Sequence, residues 1–438
     1  MKRFFQLLLI LFCALLILGL YPGQGGEGAQ REVSRFQDKH DLSGFFTPLV
    51  YGFWPNSWFG WLYSLTLFQI TVYSIGMKLI FKKLINNNLR RIFIFVYILG
   101  VFFVFQVVRD ATAFSLFVFA FGMISKSNNS KRYLHTIGVI TIIIGCLFKP
   151  ILAPIIAITY LFFSAKQSFT IKSKLIRLFV VISIAFAPFL IDRGITSELG
   201  LPKRYAEQHL FIYDVTKMYC WGHKSSSIEL AKNAISPFLR IGSDYESLCA
   251  SLEPMGADDL RRKLTEVKES PAIKLYAGDD SSIVRKLIFD WLKLIKESPF
   301  EWSQIKTIDA SQVLFMANAF YISPVIVDGN NNFALEIGNK ILNGAFIPIN
   351  ILDRLRVFSL GFSLVIGLIL LYINGRFTVF DKALDSIFSR YIFINLTIWL
   401  ILTLLFISNP GRYPVPYLLL SYIYLITALD EKYQKNNK

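Results

Sequence analysis

Ten apolar stretches constrain this chain more than any other feature: 4–20, 57–81, 92–108, 111–125, 134–148, 150–165, 175–191, 357–374, 391–407 and 414–429. Crossing hydrocarbon takes ~17 to 25 apolar residues, and the shorter stretches have polar flanks to supplement them. A backbone in hydrocarbon finds no water to bond, so such segments fold as helices. Composition agrees: 54% of the 438 residues are hydrophobic and 41 are Phe, well beyond the range of soluble globular chains. The expected fold class is an all-α polytopic membrane protein with about ten transmembrane helices. The first stretch follows Met1, Lys2 and Arg3 like a signal-peptide core. It lacks a small-x-small cleavage site before Tyr21, and Cys13 follows bulky Phe12, so it is expected to be retained.

A net charge of +16 would suit a nucleic-acid partner, but its placement speaks for membrane topology instead. With the N-terminus inside, 20 of the 46 basic residues fall on cytoplasmic loops and six on short outer loops. That asymmetry orients the chain, with both termini cytoplasmic. The other 20 lie in 192–356 beside 21 acidic residues, so this segment is nearly neutral and reads as an ordinary soluble region. Three parts follow. Residues 1–191 form an N-terminal transmembrane core with a first outer loop at 21–56. Residues 192–350 form one large, mainly helical insertion on the outer side, and 351–438 form the C-terminal transmembrane segment. Within the insertion, Ile283, Leu287, Trp291 and Leu294 recur at helical spacing, and Pro299 ends that run. The expected location is a bacterial inner membrane, with the insertion in the periplasm.

Cys13 and Cys146 lie in apolar stretches, whereas Cys220 and Cys249 both lie in the insertion. An oxidising compartment lets the second pair close a loop worth ~3 kcal/mol; two free thiols are the alternative. Cys220 with His223 is only half of a zinc site, so no metal and no cofactor are expected.

Under this topology the unusual polar residues all fall on the outer side. Gly23, Gly25, Gly26 and Gly28 bracket Glu27, freeing the backbone to present one carboxylate closely to a ligand. The same loop continues through Asp38, His40 and Asp41 into Pro48, Tyr51 and Trp54. Arg109 and Asp110 sit between two stretches with hardly any loop, where Asp110 can also serve as a helix cap. Lys149 and Pro150 form another hairpin tip. In SNPGRYPVPYLLLSYI, Arg412 stands at the mouth of the last stretch, where a cation costs ~2 kcal/mol or more unless an anion meets it. No stretch carries a charge near its middle, which disfavours a proton-coupled transporter or flippase. A substrate with a lipid tail and a polar head fits better than a solute crossing the bilayer.

The order of these motifs resembles the GT-C superfamily of polyprenyl-phosphate-sugar-dependent glycosyltransferases, in its bacterial surface-polysaccharide branch. YPGQGGEGAQ is similar to the family's first-loop motif, with Glu27 as the acid and Gln30 as the polar residue. HDLSGFFTPLVYGFW resembles its Asp-Trp-His-Pro-Pro element, keeping Asp41 and Pro48 without the Trp-His. RDATAFSLFVFAF resembles its Lys-Asp-x-x-Phe helix start, with Arg109 and Asp110. QHLFIYDVTKM, DWLKLIKESPFEW and GRYPVPYLLL resemble three further elements in the same order. Among subgroups, the size and the single large outer loop resemble serotype-converting O-antigen glucosyltransferases.

The resemblance implies an undecaprenyl-phosphate-linked sugar as donor and a surface polysaccharide as acceptor, with no nucleic acid involved. It implies a carboxylate base at Glu27, or else at Asp41 or Asp110, because Glu stands where the family has Asp. Arg412 with Lys149 or Arg109 would hold the phosphate. Gln30, Tyr413, His209 and Asp214 are further candidate substrate contacts, with plain packing as the alternative for His209, Tyr213 and Asp214. An O-antigen polymerase or ligase using a pyrophosphate-linked glycan is the nearest rival, with Arg193, Arg204, Arg240, Arg261 and Arg262 available in the insertion.

Overall fold

The computed structural model describes residues 46–52, 61–104, 109–127, 132–150, 153–164, 171–198, 208–222, 224–239, 249, 281–315, 359–376, 382–405 and 414–436, and nearly all of them are helical. Among the described residues there are fourteen α-helices and no β-strand. They are α1 (Phe46–Gly52), α2 (Trp61–Phe81), α3 (Asn87–Val104), α4 (Arg109–Lys126), α5 (Arg132–Phe148), α6 (Ala153–Ser164) and α7 (Ile171–Glu198). There follow α8 (Gln208–Trp221), α9 (Ser225–Ile235), α10 (Ser282–Glu297), α11 (Pro299–Phe315), α12 (Leu360–Arg376), α13 (Lys382–Leu405) and α14 (Pro414–Asn436). The expected first span, 4–20, lies outside the described residues.

The main core is built around α4, which packs against α2 and α5 over most of its length. Small residues set that closeness. A Cβ on Gly76 would lie 2.6 Å from the Phe119 Cα, and one on Gly122 would lie 2.7 Å from the Gly76 carbonyl oxygen. Helix association without a hydrophobic drive depends on such backbone approach. Aromatic rings fill the space around the contact: Phe103 meets Phe114 edge-on at 5.5 Å, and Phe121 stacks on Phe163 at 4.4 Å. Polar groups inside this core bond to one another. The Ser363 hydroxyl of α12 donates to Asn395 Oδ1 of α13 at 3.0 Å and also pairs with the Tyr391 hydroxyl.

Among the described residues three helices are long and apolar enough to cross a membrane: Ser64–Phe81, Leu175–Glu198 and Leu384–Thr403. Arg132–Phe148, Ala153–Ser164 and Leu360–Ile373 are apolar but shorter. At 1.5 Å per residue, the 12 residues of α6 extend only about 18 Å, short of the ~30 Å of a hydrocarbon core. Of the about ten spans expected, helix length and apolarity among the described residues support these three. One long candidate, α7, turns Leu175, Phe179, Phe186 and Leu190 outward. Such a face is stable in hydrocarbon and costly in water.

A second core lies in α8 to α11, with Ile212, Met218, Ile235, Phe238, Leu287 and Leu294 at its centre. Helix α10 buries Val284, Leu287 and Leu294 and half-buries Ile283 and Trp291, which is the apolar face its spacing predicts. It ends at Glu297, and Pro299 then opens α11 at a position where a missing N–H costs nothing. Cys220 at the end of α8 is joined to Cys249 by a disulfide. Helix α11 connects the two cores: Trp399 Nε1 of α13 donates to the Ala310 carbonyl at 3.0 Å.

Candidate functional site

Helices α4 and α5 are antiparallel neighbours, so the start of α4 and the end of α5 share one rim of the bundle. Asp110 lies in the first turn of α4, where the helix dipole favours a carboxylate, and Lys149 follows the last turn of α5, where it favours a cation. Across that rim the Lys149 ammonium meets Asp110 Oδ1 at 2.5 Å, with both side chains 8% exposed. The start of α4 also carries a second polar set. Thr112 Oγ1 receives Gln69 Nε2 of α2 at 2.5 Å and pairs with the Tyr51 hydroxyl of α1 at 2.9 Å.

Tyr51 belongs to the expected first outer loop, so this contact ties that loop to the rim. Phe46, at the other end of α1, sets its ring edge-on to Phe148 at 5.2 Å, one residue before Lys149. Its backbone N–H donates to Asp192 Oδ1 on α7 at 3.4 Å. Helix α1 is thus fastened between the end of α5 and the later part of α7. Two carboxylates expected at the site, Glu27 and Asp41, lie outside the described residues, as do Gln30, Arg412 and Tyr413. In sequence Asp41 precedes Phe46 by five residues, and Arg412 precedes α14 by two. Arg109 is the first residue of α4.

The second core holds a different polar arrangement. Asp214 Oδ1 on α8 takes the Lys306 ammonium of α11 at 2.8 Å, and its Oδ2 accepts Trp291 Nε1 at 3.1 Å and Trp302 Nε1 at 3.3 Å. One turn on, Lys217 pairs with Asp309 at 2.5 Å, both side chains being 1% exposed. Lys306 also lies 3.8 Å from Asp309 Oδ2, which links the two pairs into a quartet. The Lys217 ammonium sits 4.2 Å from the Tyr213 ring centroid and 5.2 Å from that of Trp221. Burial pushes both partners of the tighter pair towards neutrality. It lowers Lys217 against the pull of Asp309, and it raises Asp309 against the pull of Lys217 and Lys306.

The structure therefore separates residues that the sequence reading groups together. Asp110 and Lys149 meet at the rim, whereas Asp214 and Tyr213 are buried in the second core, where both Asp214 oxygens are engaged. His209 lies on α8, in the first turn before that core. One feature escapes a reading based on motifs alone. The Gln69–Thr112–Tyr51 chain joins elements up to 61 residues apart. The quartet, by contrast, has a local signal: Asp-x-x-Lys at 214–217 and Lys-x-x-Asp at 306–309 mirror each other on α8 and α11. Opposite order on two packed helices lets each charge face its complement. Among the described residues no group of three or more His, Cys, Asp and Glu is placed to hold a metal ion. No protein-family model, no curated protein and no solved structure matches the chain.

Proposed function

We propose that this protein is an integral membrane glycosyltransferase, moving a monosaccharide, glucose in the first instance, from undecaprenyl phosphate to a surface polysaccharide such as O-antigen. The reading takes the bundle as a roughly ten-span GT-C-like assembly in a bacterial inner membrane, with the α4/α5 rim facing the periplasm. One observation carries it: the Asp110–Lys149 pair lies at a rim to which the first-loop helix α1 is bound through Tyr51 and Phe46. That fastening brings the end of the acidic loop to the rim at which a lipid-linked head group would arrive.

In the proposed reaction a carboxylate takes the proton of an acceptor hydroxyl, and the hydroxyl oxygen attacks the anomeric carbon. The carbon–oxygen bond to the phosphate breaks, undecaprenyl phosphate leaves, and the anomeric centre inverts. Positioned general-base catalysis contributes ~10²- to 10⁴-fold. A carboxylate already paired with an ammonium at 2.5 Å is a poor base, which favours Glu27, then Asp41, over Asp110 for that role. Arg412 and Arg109, with Lys149, would bind the phosphate as its charge grows.

The test is transfer of labelled hexose in vesicles containing the purified chain, with undecaprenyl-monophosphate hexose and undecaprenyl-pyrophosphate glycan offered in parallel. The wild type is expected to use the monophosphate donor only. Glu27→Gln should lose transfer by ~10²-fold or more while being made at normal levels. Transfer from the pyrophosphate donor alone would replace this reading with that of a polymerase or ligase.

A further inference from the structure

Helix α10 faces two environments. Val284, Leu287 and Leu294 point into the second core, and the opposite side leaves Phe289 68% and Leu292 53% exposed. Phe300, in the first turn of α11, is 71% exposed. The exposed residues Arg285, Lys293 and Lys296 share that side. At about 100° per residue, Arg285, Phe289, Leu292, Lys293 and Lys296 fall within an arc of roughly 100°, opposite the buried face. Glu297, 3.8 Å from Lys293, is the exposed acid beside them. The sequence reading treats this segment as an ordinary soluble helix, yet such a helix seldom turns large apolar side chains outward between cations.

We propose that this stripe is a membrane-surface anchor: Phe289, Leu292 and Phe300 enter the interfacial zone while Arg285, Lys293 and Lys296 meet anionic lipid phosphates. Aromatic and aliphatic side chains among basic residues are the pattern of helices that lie in a bilayer interface. Charge decides against a second copy of the chain as occupant, because a symmetric pairing would bring like cations together, whereas phosphates complement them. Position agrees. Helix α11 follows directly and reaches α13 at Ala310, bonded to Trp399, within the candidate span Leu384–Thr403. Phe300 lies ten residues before Ala310, about 15 Å along the helix. The proposal depends on the membrane reading alone and stands apart from the transferase assignment.

The test uses the full chain, with Cys13→Ser and Cys146→Ser and the Cys220–Cys249 disulfide intact, in nanodiscs holding one copy. An environment-sensitive fluorophore is placed at Phe289→Cys, at Leu292→Cys and, as control, at Lys232→Cys on the exposed side of α9. Doxyl-labelled lipid should quench the first two sites several-fold more than the third. The difference should shrink when phosphatidylglycerol is replaced by phosphatidylcholine, and when Arg285, Lys293 and Lys296 become Gln. Equal quenching at all three sites, indifference to lipid charge, or protection seen only in discs holding two copies would each overturn the proposal.

Discussion

The rim of the bundle and the second core both bury opposite charges between helices, but they close their polar groups differently. In the second core Asp214 is enclosed by Lys306 and two tryptophan N–H groups, and Lys217 by Asp309 and two aromatic rings. All of these partners come from three helices of one small core. At the rim, Asp110 pairs with Lys149, and Thr112, two residues on in α4, is bonded to Tyr51 of α1, from the expected first outer loop. The quartet is thus completed by its own framework, whereas the rim engages a segment arriving from elsewhere in the chain. Buried charge alone does not mark a functional site; the origin of its partners is the better guide.

The largest expected effect tests whether the quartet is purely structural. Lys217→Ala leaves Asp309 buried beside a cavity, and should destabilise the second core by ~3–5 kcal/mol, read from the unfolding midpoint by tryptophan fluorescence. Replacing both partners, Lys217→Met with Asp309→Leu, should be nearly neutral. A harmless single substitution would break the contrast between the two regions. Next comes Gly76→Val, which should cost ~1–3 kcal/mol by forcing α2 away from α4, measured as a drop in Tm in detergent. It should disturb the rim while sparing the disulfide-linked core.

Tyr51→Phe removes a single hydroxyl and should cost ~0.5–1.5 kcal/mol. Its clearer sign is faster proteolysis of the first loop; an unchanged cleavage rate would mean that Thr112 does not retain α1. The smallest effect concerns pH. Asp309 is raised above its ordinary 3.8, so the stability it contributes is fully present below that value and is lost as pH rises through its folded value. The advantage of wild type over Asp309→Asn should therefore shrink as pH climbs from 3.8, followed by thermal unfolding at each pH. An advantage that grows instead would mean that the ion pair outweighs burial.

Hydropathy and periodicity locate the helices well because each depends on short-range order. The stretches at 111–125 and 134–148 correspond to α4 and α5 within two residues at either end. Ends differ where a particular side chain decides them. Helix α3 starts at Asn87 rather than 92 because the Asn86 side chain accepts the N–H groups of Asn88 and Leu89. Helix α7 continues to Glu198, past the expected 191, with Asp192 taking the N–H of Phe46. The site is harder to read. Asp110 and Lys149 are each conspicuous in sequence, but their pairing across 39 residues follows from helix packing. Asp214 is conspicuous in sequence, yet the packing of α10 and α11 on α8 determines that Trp291, Trp302 and Lys306 surround it.

Asp430, near the end of the chain, accepts the backbone N–H groups of Ile85 and Asn86 at 2.8 to 3.0 Å, across as many as 345 residues. Gln434 reinforces the junction by bonding the Lys83 carbonyl at 3.0 Å and Asp430 at 2.7 Å. During synthesis the turn between α2 and α3 emerges early, yet its two donors must await α14, as many as 345 residues later. The bundle is fastened in the manner of a belt, with α14 as the clasp. A chain cut before residue 430 would leave the N–H groups of Ile85 and Asn86 without this acceptor, so a break near α14 would loosen a turn more than 300 residues away.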